Sequence, residues 1–372
     1  MIYLDNAATS YPKPLSVVNA VMKSVKGKYG NPGRGSHALS SASAELVYNC
    51  RSEIASLFDS DEENVVFTKN ATEALNYAIK GLCKRMCHIL IDSFAHNASY
   101  RPVEALVREG RAFADIYEVS DNDDETIKNI TSLLRADTEL IIATHQSNIC
   151  SKVLPIEKIG NLCRKINASF IVDASQSAGH IPINIKKCGI TSLCMPGHKG
   201  LMGPMGSGVL VSGDGVSYDT LIEGGSGINS LEAEMPSDLP ERLEAGTLSL
   251  PAIAGLCEGV RWVKMRGEEN ISRHISKLST YFGDELKKIP NSVIYGEYKG
   301  GTISFNIGNH SPNKVGEYLN SAGICVRCGY HCSPLAHRSL GSIENGSVRV
   351  SFSYNNTMNE VKKTISVIED FL

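Results

Sequence analysis

Apolar positions along this chain recur with two periods, and the way those periods alternate sets the architecture. Leu46, Val47, Cys50, Ile54, Leu57 and Phe58 fall at helical spacing, which predicts a helix that buries one face. Val65-Val66-Phe67 follows as a short strand, and a helix opens near Thr72. Further apolar runs predict strands over His88 to Ile91, Asp115 to Val119, Leu140 to Thr144 and Ser169 to Asp173, with helical stretches between them, notably Ile156 to Ile166. Strand and helix alternating from about Ala42 to Val211 imply parallel strands joined by crossovers, an α/β fold. After Gly246 the pattern changes. Helices are predicted over Pro251 to Met265 and Asn270 to Leu286, strands over Thr302 to Ile307 and Ser347 to Phe352, and helices over Asn313 to Ala322 and Met358 to Leu372. This reads as a second, smaller α+β domain, with the boundary near residue 250 inside a long helix rather than at a flexible tether.

Composition narrows the class. The 372 residues are 42% hydrophobic, ample for a large core and more readily two domains than one. Lys and Arg number 37 against 40 Asp and Glu, a net charge of -3, so the overall field attracts neither nucleic acid nor an acidic membrane surface. No apolar run reaches the roughly 18 residues of a membrane span. The start, Met1-Ile2-Tyr3-Leu4-Asp5, lacks a basic and then apolar signal, so a cytoplasmic location is expected. Eleven scattered cysteines do not form the dense paired framework of a small secreted scaffold, and most are expected to fill apolar space. The acidic run Asp121 to Glu125 reads as a solvated loop and helix start.

The candidate chemistry falls beyond the carboxyl ends of predicted strands, where open parallel sheets bind ligands. Lys199, in Pro196-Gly197-His198-Lys199-Gly200, is placed for covalent chemistry. An amine with an ordinary pKa of about 10.4 must fall toward roughly 7 to 8 to attack a carbonyl at neutral pH, and a confined pocket does this. The plain alternative is a lysine capping a turn. Asp173 ends a strand, and a carboxylate at that depth needs a cationic or protonated partner unless it only caps the next segment. Asn70-Ala71-Thr72-Glu73 lies where a strand turns into a helix. Free backbone N–H groups and the Thr72 hydroxyl could hold a phosphate there, although an ordinary capping box has the same pattern. His96 reads equally as a loop residue and as a catalytic one.

With Tyr3-Leu4-Asp5-Asn6-Ala7-Ala8-Thr9, Arg34-Gly35-Ser36-His37, Ser147-Asn148, Val172-Asp173-Ala174-Ser175-Gln176, Glu244-Ala245-Gly246-Thr247, Gly329-Tyr330-His331-Cys332 and Val348-Arg349, these motifs occur in an order and spacing that covers nearly the whole chain. Together they resemble the class V aminotransferase family of fold type I pyridoxal phosphate enzymes, and within it the cysteine desulfurases and selenocysteine lyases. The resemblance implies a large cofactor-binding domain over residues 16–250, with a mostly parallel central sheet flanked by helices. It also implies a small C-terminal α+β domain over 251–372 carrying the cysteine and the substrate arginine, and an N-terminal segment, 1–15, packing with that small domain. Lys199 would carry pyridoxal phosphate covalently, and Asp173 would keep the pyridine nitrogen protonated so that the ring acts as an electron sink. His96 would stack on the ring face, Gln176 would bond the ring oxygen, and Asn148 would sit beside cofactor and substrate. Ala71, Thr72 and His198 would hold the phosphate, joined by Thr247 from the other subunit of a homodimer. Arg349 would grip the amino-acid carboxylate with its planar fork, and Arg327 would support the pocket wall. For an arbitrary arginine, a strand-edge ion pair is the plain reading.

Cys332 separates a desulfurase from a transaminase. By the resemblance, its thiolate attacks the sulfur of cofactor-bound L-cysteine, leaving alanine and a persulfide on Cys332. A nearby base or positive charge must favour the thiolate, and His331 is a neighbour in sequence, although adjacent side chains often diverge. The short interval from Cys332 to Arg349 resembles a short-loop group whose members depend on a sulfur-acceptor protein and often act on L-selenocysteine. Three departures stand out: Pro196 replaces a usual Ser or Thr, Ser99 replaces an asparagine, and Cys328 adds a thiol, read as filler rather than as a resolving group. Two rival functions remain. Cys325, Cys328 and Cys332 could form a metal or iron-sulfur module, but side chains alternate in direction along a strand, so no metal site is expected. A different pyridoxal phosphate reaction, transamination or a lyase step, would need Lys199 and not Cys332.

Overall fold

The computed structural model describes every residue except Arg34, Lys84, Arg85 and Leu372. A short strand, β1 (Ile2–Tyr3), precedes helices α1 (Leu15–Lys26) and α2 (Ala38–Phe58). The helix expected from the spacing of Leu46 to Phe58 is the second half of α2, and Val47, Cys50, Ile54 and Phe58 form its buried face. Strands and helices then alternate as β2 (Val65–Thr68), α3 (Ala71–Leu82), β3 (Cys87–Asp92), α4 (Asn97–Arg108), β4 (Ala112–Tyr117) and α5 (Asp123–Ser132). The series continues with β5 (Thr138–Thr144), α6 (Ile156–Ile166), β6 (Ser169–Asp173), α7 (Ile185–Cys188), β7 (Ser192–Pro196) and β8 (Gly208–Ser212).

These strands make one sheet in the order β2-β8-β7-β6-β5-β3-β4. From β4 through β7 neighbours run parallel, as the alternation of elements predicts. β8 runs antiparallel to both its neighbours. An antiparallel partner needs no crossover helix, so the chain returns from β7 to β8 through a compact loop, and that loop carries Lys199. Its tightness depends on Gly197, where a Cβ would lie 2.1 Å from Ser207 Oγ. Phe67, Leu90, Ile141, Val172 and Met195 face one apolar layer; Val66, Ile89, Ile142, Ile171 and Leu210 face another. Burial on both faces is why these strands read as continuous apolar runs rather than alternating ones.

β4 occupies Ala112–Tyr117 rather than Asp115 to Val119. It is the edge strand and half its side chains meet solvent, so its apolar pattern marks its ends poorly. The acidic run opens α5, with Asn122 Oδ1 accepting from the N–H groups of Asp124 and Glu125.

The rest of the chain comprises α8 (Leu250–Arg266), α9 (Glu268–Leu286), β9 (Ser292–Tyr295), β10 (Thr302–Ile307) and α10 (Pro312–Ser321). It ends with β11 (Ile324–Cys325), β12 (Arg327–Gly329), α11 (Pro334–Ser339), β13 (Ser347–Ser351) and α12 (Met358–Glu369). Four of these strands form an antiparallel sheet ordered β12-β13-β10-β9, and β11 pairs in parallel with β1. Leu4 thereby joins Phe282, Phe305, Val350 and Ile365 in a second core. α8 is shared: Leu256 and Val260 pack into the core of the large sheet, Val263 into the second core. The expected end of the last helix, Leu372, lies outside the described residues, as does Arg34 of the Arg34-Gly35-Ser36-His37 run. Among the described residues, no helix is long and apolar enough to cross a membrane.

Candidate active site

The carboxyl ends of β3, β5, β6 and β7 share one edge of the large sheet, and the β12–β13 region of the small sheet covers it. Between them lies a pocket of about 240 Å³. Every site residue expected from the sequence lines it except Thr247.

Lys199 projects into this pocket from the β7–β8 loop. Burial lowers its pKa to about 8, with Asp173 opposing the shift and Arg349 adding to it. At pH 7 roughly a tenth of the amine is therefore neutral and nucleophilic. The N-terminal segment clamps the loop from behind. His198 O accepts from Ser10 N at 3.1 Å, Thr9 Oγ1 at 3.1 Å and Lys13 Nζ at 2.7 Å. Lys13 also donates to Ser10 Oγ at 2.8 Å.

The N-terminus of α3 opens on the same space. Asn70 Oδ1 accepts from Glu73 N at 2.9 Å, as a capping box requires, and the N–H groups of Ala71 and Thr72 remain for the pocket. His198 Nδ1 is buried with no hydrogen-bond partner among the described residues. Burial holds the ring neutral, with a pKa of about 4. An orphaned buried nitrogen beside open helix N–H groups fits a phosphate. Pro196 lines the wall without a hydroxyl, and Ser99 turns away, its Oγ donating to His96 O at 3.0 Å.

Asp173 and His96 each satisfy their plain reading and still face the pocket. Asp173 is 2% exposed, and its Oδ1 accepts from Ser175 N at 2.9 Å. His96 Nδ1 accepts from Ala98 N at 3.0 Å and caps α4, which assigns the proton to Nε2. Burial takes its pKa down to about 4, against the pull of Asp173, so the ring is neutral. Gln176 Nε2 donates to Ala7 O at 3.1 Å.

Arg349, on β13, is 2% exposed. Nη2 meets Asp5 Oδ1 at 2.8 Å and Nη1 donates to Asn148 O at 3.1 Å, while Nε has no partner among the described residues. Burial lowers the guanidinium's pKa and Asp5 raises it again. Two N–H groups thus anchor the side chain and the Nε edge stays free for a carboxylate. Asn148 is committed to the cysteine turn: Nδ2 donates to His331 O at 2.9 Å and Oδ1 accepts from Ser333 Oγ at 2.7 Å.

Cys332 is exposed at the pocket. It and His331 both lie in the left-handed region, with φ of 58° and 51°, which costs non-glycine residues about 1–3 kcal/mol each. Asn97 N donates to Cys332 O at 2.8 Å and helps hold the turn. His331 is not the thiol's base. Its Nε2 donates to Arg327 O at 3.2 Å and its Nδ1 faces His337 Nε2 at 3.3 Å, so both nitrogens are engaged. Cys328 points elsewhere: its Sγ donates to Pro312 O at 3.1 Å, and burial raises its pKa to about 11. Cys325 lies on β11 beside β1, so the three cysteines do not converge. Among the described residues, no group of three or more His, Cys, Asp or Glu is placed to hold a metal ion.

Thr247 lines two other hollows of this chain. Its segment is anchored by Glu244, which is paired with Arg51 and accepts from Phe67 N at 2.7 Å. Lys13, Ser333 and His337 carried no signal in the sequence, because each acts through a contact with a residue remote in the chain or hidden in a turn. Asp5 was legible only as part of the Tyr3 to Thr9 run. Its partner Arg349 is brought to it by the bridge between Asp5 and Ser351.

The family model for aminotransferase class V matches residues 2–364. A probable cysteine desulfurase of Methanothermobacter thermautotrophicus is 30% identical over 99% of this chain and 94% of its own length. One of Pyrococcus abyssi is 30% identical over 100% of this chain and 94% of its own. An apo structure of a cysteine desulfurase from Thermococcus onnurineus NA1 superposes with a TM-score of 0.90 at 30% identity, covering 100% of this chain and 94% of that one. With the family model spanning residues 2–364, the chain belongs to the aminotransferase class-V family.

Proposed function

We propose that the protein is a pyridoxal phosphate-dependent cysteine desulfurase that converts L-cysteine to L-alanine and leaves the sulfur as a persulfide on Cys332. The observation that carries this reading is that an exposed thiol in a braced turn opens on the same pocket as Lys199 and Arg349.

The residues fit the cofactor. The N–H groups of Ala71 and Thr72 and the orphaned Nδ1 of His198 would hold its phosphate. Asp173 would face the pyridine nitrogen, His96 the ring, and Gln176 the ring oxygen; Lys199 would bind the aldehyde carbon. When bound, pyridoxal phosphate supplies an electron sink that labilises bonds at the substrate's α- and β-carbons. The chain's own residues do the rest. Arg349 binds the substrate carboxylate through its free Nε edge, and Asn148, next to it, ties that grip to the cysteine turn. Lys199, near its pKa at neutral pH, can both take and return a proton. Cys332 Sγ then bonds to the substrate sulfur as the substrate's C–S bond breaks. The two thiol protons end one on the methyl group of alanine and one on the persulfide, so atoms balance without an added oxidant.

Thr247 lies outside this pocket in its own chain, which supports a homodimer in which a second copy's Thr247 completes the phosphate contacts. The braced turn exposes Cys332 for onward transfer to a sulfur-acceptor protein. We read the domains as 16–250 and 251–372, with 1–15 packed on the latter, and the location as cytoplasmic. Purified protein incubated with L-cysteine and a reductant should yield alanine and sulfide in equal amounts. Cys332→Ser should keep the cofactor and lose persulfide formation. Undiminished sulfur release by that variant, or pyruvate and ammonia in place of alanine, refutes the assignment.

A further inference from the structure

Behind the cysteine turn lies a run of buried polar groups that the reaction itself does not use. Ser342, His337 and His331 are 3%, 0% and 6% exposed. Ser342 Oγ lies 2.7 Å from His337 Nδ1, His337 Nε2 lies 3.3 Å from His331 Nδ1, and His331 Nε2 lies 3.2 Å from Arg327 O. The two imidazole planes lie within 19° of each other, with centroids 5.5 Å apart. Chemistry fixes every proton in this chain. A carbonyl only accepts, so His331 carries its proton on Nε2 and accepts at Nδ1. His337 must then donate from Nε2 and accept the Ser342 hydroxyl at Nδ1. The result is an uncharged ladder running from Ser342, just past α11, to β12, satisfied at each step.

The ladder ends at the strained pair. His331 and Cys332 hold left-handed angles without the help of glycine, and such a conformation persists only where surroundings over-determine it. Asn148 fixes the main chain at His331 from one side; the ladder fixes the His331 side chain from the other. Rotating His331 to a relaxed angle would break both and swing Sγ of the next residue out of line. Burial first, then Arg349 and Arg327, disfavours a second proton on His331, and burial followed by Arg349 does so on His337, which supports the neutral ladder.

We infer that His337 is a positioning residue for the reacting thiol, acting through His331 to aim Cys332 at the pocket. The inference rests on the reading of Cys332 as the nucleophile. The test uses the holoenzyme with His337→Leu and His337→Gln, whose amide can replace the Nε2 donor. Loss of one buried hydrogen bond predicts that His337→Leu lowers kcat for alanine formation about tenfold. KM and the cofactor's visible absorbance should stay within about twofold, and His337→Gln should recover to within about threefold of the parent. Parent-like kcat in the leucine variant, or a glutamine variant as slow as it, overturns the proposal. Should the leucine variant not fold, Ser342→Ala removes the terminal donor alone. Its histidine ¹⁵N spectrum should then show His337 leaving the pure Nε2–H tautomer that the parent shows, and an unchanged spectrum counts against the ladder. Failure of the desulfurase reading would look different, with no alanine from the parent. In that case the rate of Cys332 alkylation by iodoacetamide decides: a change in His337→Leu restored in His337→Gln supports positioning, and equal rates in all three overturn it.

Discussion

Arg349→Lys keeps a cation in the small sheet and removes the fork. The native guanidinium spends one N–H on Asp5 at 2.8 Å and one on Asn148 O at 3.1 Å, leaving Nε without a partner among the described residues. A lysine has three N–H groups on a single nitrogen, so meeting both anchors leaves at most one for a substrate carboxylate in place of a two-bond grip. A hydrogen bond between charged groups contributes about 1.5–3 kcal/mol, which predicts a fall in kcat/KM for L-cysteine of about 10- to 150-fold. Most of it should appear in KM, since the carboxylate is held before and during the reaction alike. Stability should change less, because Asp5 keeps a positive partner. Removing the charge, as in Arg349→Ala, would leave Asp5 and Asn148 O without donors and cost about 3 kcal/mol, toward the low end for a broken buried pair because Asp5 is partly exposed. The assay compares desulfuration of L-cysteine to alanine with that of its methyl ester, which lacks the carboxylate charge, to alanine methyl ester. The parent's preference for the acid should shrink in the lysine variant. A kcat/KM for L-cysteine within twofold of the parent, or an equal loss for acid and ester, would refute the role given to Arg349.

Two further outcomes follow from the same pocket. Burial lowers the pKa of Lys199 from 10.5 to about 8, so pyridoxal phosphate capture by the apoprotein should speed up with rising pH and level off above about 8. Between those two values the unfolded chain binds the extra proton, so apoprotein stability should also rise with pH in that window; a capture rate still climbing toward pH 10 would show an unperturbed amine. Pro196→Ser adds a hydroxyl at the end of β7, two residues before His198. One added charge-assisted hydrogen bond predicts about tenfold tighter cofactor binding by titration of the apoprotein, and an unchanged affinity would place the phosphate elsewhere.

The periodicity of the chain by itself determined the alternating α/β architecture, the change of pattern after Gly246 and the strands that end in Asp92, Thr144 and Asp173. Those are local consequences of where apolar residues fall. Motif order likewise located Lys199, Arg349 and Cys332. The edge strand β4 was misplaced along the chain because solvent on one face erases the signal that burial writes into a sequence. Three decisions belonged to the tertiary structure. The antiparallel return of β8 gave Lys199 a tight loop in place of a crossover. The bridge between Asp5 and Ser351 carried Asp5 to Arg349 across almost the entire chain. Burial then neutralised His331 and bound both its nitrogens, withdrawing the base that adjacency to Cys332 had offered. Apolar spacing encodes which face a residue turns inward; which distant groups share a hydrogen bond, and what that does to a proton, exists only once the layers are packed together.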